Sequence, residues 1–240
     1  MKHCLDSQGL LMGLFILAAA MPTASLAKDC TIPVCKDDAN GVAAHTRYLE
    51  KVQKGECDFL LIGDSVTGGW NEDKRLTYLQ AYCGSARIMN LGVGGDMVQH
   101  VLWRLANGEL EHIQPKAIML LVGINNSGKD QPEEIATGIQ AILQLLKQKQ
   151  PQAKVLLMGI FPSDIAEIKE KIKKTNQLIA KFDDGKNIRF LDIGEKLAPG
   201  GVISQTVYNG PIHLKSPGYA IWAEAVKPLV LGLLGTGSQK

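Results

Sequence analysis

Five short, strongly apolar segments divide this 240-residue chain, and stretches with helical periodicity lie between them. A continuous apolar run without polar alternation is typical of a strand buried on both faces of a parallel sheet. The intervening helical stretches supply the crossovers that such a sheet requires. We therefore predict a three-layer α/β/α fold with a doubly wound parallel sheet of about five strands, over Phe59–Ile62, Arg87–Leu91, Ala117–Val122, Lys154–Ile160 and Ile188–Leu191.

The helical stretches begin and end at residues that favour helix termini. Asp96 is expected to cap a helix that Gly108 ends, and Pro132 is expected to open the next one. Two further helices are predicted over about 165–181 and from Pro217 to about Leu234.

Length and charge restrict the class of protein. The 26 basic and 24 acidic residues give a net charge of +2, and no basic block stands apart. This balance argues against a nucleic-acid partner and against electrostatic docking on a membrane. We predict one domain over residues 47–234, preceded by an extension over 28–46 and followed by a loose tail over 235–240.

The N-terminus has the pattern of a secretory signal peptide. Lys2 and His3 precede a nearly continuous apolar run over 10–21, and the small-residue site Ser25-Leu26-Ala27 follows. A membrane anchor needs about 20 apolar residues, and this run is too short. We expect residues 1–27 to be removed, which predicts an exported protein, periplasmic or extracellular, with no integral membrane segment in the mature chain.

The cysteines predict disulfides under those conditions. An oxidising compartment favours pairing of the four cysteines that would remain after cleavage. Local spacing favours one pair and adjacent strands favour the other, Cys30–Cys35 and Cys57–Cys83. The alternative is four free thiols in a reducing compartment. No CxxC pair is present, so the cysteines give no support for a zinc site, and we expect neither a metal nor a cofactor.

Four polar or glycine-rich segments fall where this topology places the carboxyl edge of the sheet, the usual ligand site of open α/β sheets. Ser65 follows the first strand, Gly95 the second and Asn125 the third, while His213 precedes the last helix. Ester hydrolysis through an acyl-enzyme needs a nucleophile, a base and donors for the oxyanion. Ser65 and His213 fit the first two tasks. The backbone N–H groups of Ser65 and Gly95 and the side-chain amide of Asn125 fit the third.

These four residues, in this order, resemble the defining blocks of the SGNH or GDSL-type hydrolases. Within that superfamily the chain most resembles the catalytic α subunits of intracellular platelet-activating-factor acetylhydrolase and their bacterial relatives, over about Arg47 to Leu234. The matching stretches are 94–96, 101–105, 107–111, 115–116, 123–126, 150–154 and 218–220. The resemblance implies a flavodoxin-like SGNH hydrolase fold and metal-free hydrolysis of short acyl esters.

One position departs from the family. Its last block carries an aspartate three residues before the histidine, and here that position is Gly210. In the serine proteases, replacing the triad aspartate by asparagine lowers turnover by about 10⁴. Three explanations remain open: a backbone carbonyl orients His213 in a Ser–His dyad, Asp192 or another acid substitutes from a different loop, or catalysis is lost and only the cleft persists.

The leading prediction is an exported serine esterase that removes short acyl groups, acetyl most plausibly, from a small-molecule ester of carbohydrate or lipid. Two alternatives use the same site. One is a catalytically impaired carbohydrate- or lipid-binding protein, and the other is an O-acyltransferase.

Overall fold

A computed structural model describes residues 29–235 of the chain. The predicted signal peptide over 1–27, with Cys4, lies outside the described residues, as does nearly all of the predicted tail. The strands are β1 Phe59–Gly63, β2 Ile88–Gly92, β3 Ala117–Leu121, β4 Lys154–Met158, β5 Ile188–Leu191, β6 Tyr208–Asn209 and β7 His213–Leu214. The helices are α1 Ala39–Val52, α2 Ser65–Gly68, α3 Leu76–Cys83, α4 Val98–Arg104, α5 Pro132–Lys149, α6 Ala166–Ile179, α7 Gly194–Leu197 and α8 Ser216–Leu234.

The central sheet has five parallel strands in the order β2-β1-β3-β4-β5, which confirms the predicted fold class. All five residues of β1 are buried, as its continuous apolar run requires. The short strands β6 and β7 form a separate antiparallel pair that the sequence did not predict.

Two hydrophobic clusters cover the two faces of the sheet, because successive strand side chains point to opposite sides. Leu60 and Ile62 of β1 pack with apolar residues of α1, α4, α5 and α6. Phe59 and Leu61 pack on the other face with residues of α3 and α8. The resulting arrangement is helices, sheet and helices, in three layers.

The predicted helices agree with the observed ones at their starts. α5 begins at Pro132, and the Glu134 side chain accepts a hydrogen bond of 2.7 Å from the Gln131 N–H, which closes the first turn. The predicted boundary between 46 and 47 falls inside α1, whose residues Ala44, Tyr48 and Val52 are buried in the same cluster as β1. None of the helices between residues 29 and 235 combines the length and hydropathy that a membrane span requires.

The disulfide prediction is wrong for this structure, in which the four described cysteines are free. Cys57 packs in the cluster on the α1 side of the sheet and Cys83 in the cluster on the α8 side, so the sheet separates them. Cys30 is buried, with its Sγ 3.6 Å from Nδ2 of Asn126, whereas Cys35 is exposed. Adjacent strands did not imply adjacent thiols, because the two side chains face opposite layers.

Candidate active site

The turn between β1 and α2 presents Ser65 at the carboxyl edge of the sheet. Ser65 is the first residue of α2, and the Asp64 carboxylate caps that helix by accepting a hydrogen bond of 2.9 Å from the Val66 N–H. A Cβ at position 63 would lie 2.0 Å from the Leu121 carbonyl oxygen, so the turn requires glycine there. Burial raises the pKa of Asp64 to about 7. Because the Asp64 side chain is buried and hydrogen-bonded to the backbone of the turn, its role is to hold that turn.

The predicted base lies within hydrogen-bond distance of the predicted nucleophile. His213 begins β7, and its Nε2 lies 2.9 Å from Oγ of Ser65, although 148 positions separate the two residues in the chain. The imidazole is exposed to solvent, while Ser65 is half-buried. A serine hydroxyl and an imidazole nitrogen at this separation can exchange a proton directly.

The loops after β2 and β3 bring the predicted oxyanion donors to the same edge, because Gly63 pairs in register with both Gly92 and Leu121. Within residues 29–235, neither the Ser65 N–H nor the Gly95 N–H has a hydrogen-bond acceptor. The Asn125 Nδ2 donates one hydrogen bond, 2.8 Å long, to the Asp96 carbonyl, which leaves its second N–H. These three groups are available to a developing negative charge.

No acid orients the base in the part of the chain that the structure describes. No carboxylate or carbonyl oxygen there accepts a hydrogen bond from Nδ1 of His213. Asp192, the suggested substitute, is exposed and bonded elsewhere: its two carboxylate oxygens accept from Nδ2 of Asn176 at 3.1 Å and from the Gly194 N–H at 2.8 Å. The substitute-acid explanation therefore fails for Asp192, because its loop turns toward α6.

A buried arginine beneath the site was missed by sequence reasoning. The Arg104 guanidinium donates to the Gly63 carbonyl at 3.0 Å, to the Asp96 carboxylate at 2.8 Å and to the Glu109 carboxylate. Glu109 also contacts His45, with its Oε1 2.9 Å from Nδ1. The only local signal was a basic residue within the apolar pattern of a helix. Such a residue is almost never buried unless it is paired.

This ion pair corrects the prediction for Asp96. The residue at the N-cap of α4 is Met97, and the Asp96 side chain points to Arg104. Burial raises the pKa of Asp96, and the nearby Arg104 charge opposes that rise. Asp96 pairs with the buried guanidinium, while the Val98 N–H at the start of α4 donates instead to the Asn126 side chain at 2.9 Å.

Two cavities lie in this part of the molecule, and the residues that line them include neither Ser65 nor His213. The first has a volume of about 10 Å³, and its walls include Val66, which follows the serine, and Ile212, which precedes the histidine. A cavity of this size holds about one water-sized group. The second has a volume of about 530 Å³, lies between α6 and the segment after β5, and shares Ile160 with the first. Within residues 29–235, no group of three or more His, Cys, Asp or Glu residues is placed to hold a metal ion.

Comparison with known proteins identifies relatives of this chain. The model of the GDSL-like Lipase/Acylhydrolase family matches residues 61–221. Platelet-activating factor acetylhydrolase IB subunit alpha2 of Rattus norvegicus is 35% identical over 211 residues, which cover 85% of this chain and 90% of that protein. The alpha1 subunit of Bos taurus is 34% identical over 201 residues, 82% of this chain and 85% of that protein.

Solved structures share the fold at lower identity. A member of the lipolytic protein G-D-S-L family from Veillonella parvula matches with a TM-score of 0.63 at 19% identity, over 72% of this chain and 97% of that one. A carbohydrate acetylesterase family member from Sinorhizobium meliloti matches with a TM-score of 0.62 at 18% identity, over 75% and 99%. The matched family model and the relatives above 30% identity show that the chain belongs to the GDSL-like lipase/acylhydrolase family and is a carboxylic ester hydrolase.

Proposed function

We propose that this protein is an exported serine esterase that removes short acyl groups, acetyl above all, from a carbohydrate or lipid alcohol. The observation that carries the proposal is the 2.9 Å separation between Ser65 Oγ and His213 Nε2 at the carboxyl edge of the sheet. Relatives named acetylhydrolases and a structural neighbour named a carbohydrate acetylesterase support the acyl group and the alcohol class. The pattern of residues 1–27 supports export, and a mature N-terminus at Lys28, read by mass spectrometry, would test it.

The reaction follows from the contacts. His213 Nε2 takes the proton of the Ser65 hydroxyl as Oγ attacks the ester carbonyl carbon. The resulting oxyanion accepts hydrogen bonds from the Ser65 and Gly95 N–H groups and from the Asn125 amide. The tetrahedral intermediate expels the alcohol, which receives the proton from His213. A water molecule, activated by the same imidazole, then hydrolyses the acyl-enzyme.

The base works as half of a dyad in this proposal. Because no carboxylate among the described residues accepts a hydrogen bond from Nδ1, solvent at the exposed imidazole stabilises the imidazolium. Water is a weaker orienting partner than a fixed carboxylate. In subtilisin, loss of the acid alone costs about 3 × 10⁴ in turnover, less than loss of the serine or histidine. We therefore expect a slow enzyme whose chemistry still depends on Ser65.

The small cavity between the residues that flank Ser65 and His213 sets the size of the acyl group. Its volume of about 10 Å³ suits the methyl group of an acetyl ester, and longer chains would displace the buried side chains of Ile160 and Phe161.

The test is hydrolysis of p-nitrophenyl acetate by the wild type and by Ser65→Ala. The wild type should hydrolyse the ester at a measurable rate, and more slowly when hexanoate replaces acetate. Ser65→Ala should lower kcat to the background rate, because the acyl-enzyme can no longer form. Equal rates for wild type and Ser65→Ala would refute the esterase proposal.

Among the described residues nothing accepts a hydrogen bond from Nδ1 of His213, which favours one second candidate, a family member that has lost turnover and keeps the cleft as a binding protein. A fluorophosphonate probe separates the two functions, because only an activated serine forms the stable adduct. Labelling of the wild type and not of Ser65→Ala would exclude the binding protein. Absence of labelling in both would support it.

A further inference from the structure

The segment before α1 brings a lysine to the loop after β2, which carries the proposed oxyanion donor Gly95. Residues 29–38 cross α4, where the Val34 N–H donates a hydrogen bond of 3.1 Å to the Gln99 carbonyl. This path places Lys36 at the loop after β2, and its Nζ donates to the Gly94 carbonyl. Asn40 Nδ2 lies 3.4 Å from the same oxygen. One side chain from this segment and one from the first turn of α1 thus contact the same carbonyl in the loop.

That carbonyl belongs to the peptide unit whose N–H is the proposed oxyanion donor. The Gly94 C=O and the Gly95 N–H share one planar amide, so a contact that fixes one also fixes the direction of the other. A charged donor on the oxygen also draws electron density from the nitrogen. Hydrogen bonds that polarise one another in this way are strengthened by about 10–30% per bond. The Gly95 N–H, which has no acceptor of its own in the part of the chain described, is thereby both aimed and polarised.

Other partners of Lys36 do not explain its position as well. Nζ lies 3.8 Å from the carboxylates of Asp38 and Asp96, beyond the ordinary length of a charged hydrogen bond. Asp96 is already paired with Arg104 at 2.8 Å. The Lys36 side chain is only 14% exposed, and a Cβ at position 95 would lie 3.2 Å from Nζ. The ammonium is therefore packed directly against the oxyanion glycine.

We propose that Lys36 is a positioning residue for the oxyanion hole, which strengthens the Gly95 N–H as a donor to the transition state by its hydrogen bond to the Gly94 carbonyl. This inference rests on the esterase function proposed above. The polarised Gly95 N–H stabilises the oxyanion of the transition state and not the uncharged bound ester. Loss of Lys36 should therefore lower kcat and leave KM unchanged.

The experiment compares Lys36→Met, Lys36→Gln and Lys36→Arg in hydrolysis of p-nitrophenyl acetate and in inhibition by 1,1,1-trifluoroacetone. That ketone adds the serine oxygen and places an oxyanion in the same hole.

Removal of a whole oxyanion donor costs about 10²–10³ in kcat, so loss of its polarisation should cost less, about 10-fold. We expect the wild type to have the highest kcat, followed by Lys36→Arg, then Lys36→Gln, then Lys36→Met, with KM constant. The inhibition constant should rise by the same factor as kcat falls. Lys174→Met removes an exposed lysine that pairs with Glu133, and it should leave all three constants unchanged.

Two results would overturn the inference while the esterase stands: kcat within twofold of wild type in both Lys36→Met and Lys36→Gln, or a lower kcat with an unchanged inhibition constant. The second would assign Lys36 to folding alone. Lys36→Gln keeps a neutral donor of similar length, so the comparison survives if Lys36→Met fails to fold. If the wild type shows no Ser65-dependent hydrolysis, the proposed function itself is refuted.

Discussion

At the scale of single residues, Gly210 decides how well His213 can work. It lies in the turn between β6 and β7 with a φ of +69°, and a Cβ there would meet nothing within 4 Å. Space is therefore available for a side chain, and the left-handed backbone is the remaining cost. Aspartate tolerates that conformation better than most residues, because its short polar side chain can bond locally.

Gly210→Asp should raise the kcat for p-nitrophenyl acetate, because a carboxylate beside the imidazole would orient it and stabilise the imidazolium. The upper bound is the factor of about 10⁴ that the triad acid supplies in serine proteases. Gly210→Asn is the matched control, since asparagine also tolerates the left-handed backbone and carries no carboxylate, and it should give no gain. If the two variants have equal kcat values, the missing acid is not what limits turnover.

At the scale of secondary-structure elements, α4 joins separate loops of the site through Arg104. From the end of that helix the guanidinium reaches the carbonyl that precedes the nucleophile turn and the carboxylate that follows Gly95. Sequence periodicity predicted this helix, with its N-cap one residue early at Asp96, and assigned no role to its basic residue. Only packing shows that the end of α4 faces the sheet, where a charge must be paired.

Arg104→Met should lower the free energy of unfolding by about 3–5 kcal/mol, because it leaves the buried carboxylates of Asp96 and Glu109 without their main partner. Urea denaturation measures the change. Arg189→Met is the control: Arg189 pairs with Asp183 at 3.3 Å on the surface, and its loss should cost less than about 1 kcal/mol. Similar losses in the two variants would show that the buried network contributes little.

At the scale of the whole molecule, the two faces of the sheet control the chemistry of the cysteines. Burial raises the pKa of Cys30 and of Cys57 to about 12 and that of Cys83 to about 11. Buried thiols with such pKa values are unreactive at neutral pH. Cys35 alone among the described cysteines is exposed.

An Ellman titration of the folded protein should therefore detect the Cys35 thiol, and Cys35→Ser should remove that signal. Unfolding in guanidinium without a reductant should then release the thiols of Cys30, Cys57 and Cys83, since none is paired. If those thiols appear only after reduction, the protein contains disulfides and the predicted pairing would be revived.

The five-stranded parallel sheet and the four proposed site residues could be predicted from the sequence. These features are local: an apolar run predicts a buried strand, and the carboxyl ends of parallel strands share one edge, which gathers Ser65, Gly95 and Asn125. The tertiary structure alone decided the remaining contacts. It turned Asp192 toward Asn176, separated Cys57 from Cys83 by a sheet, and brought Lys36 to the Gly94 carbonyl. Such contacts depend on which layer a side chain faces and on the path of each loop, and packing of the whole chain fixes both.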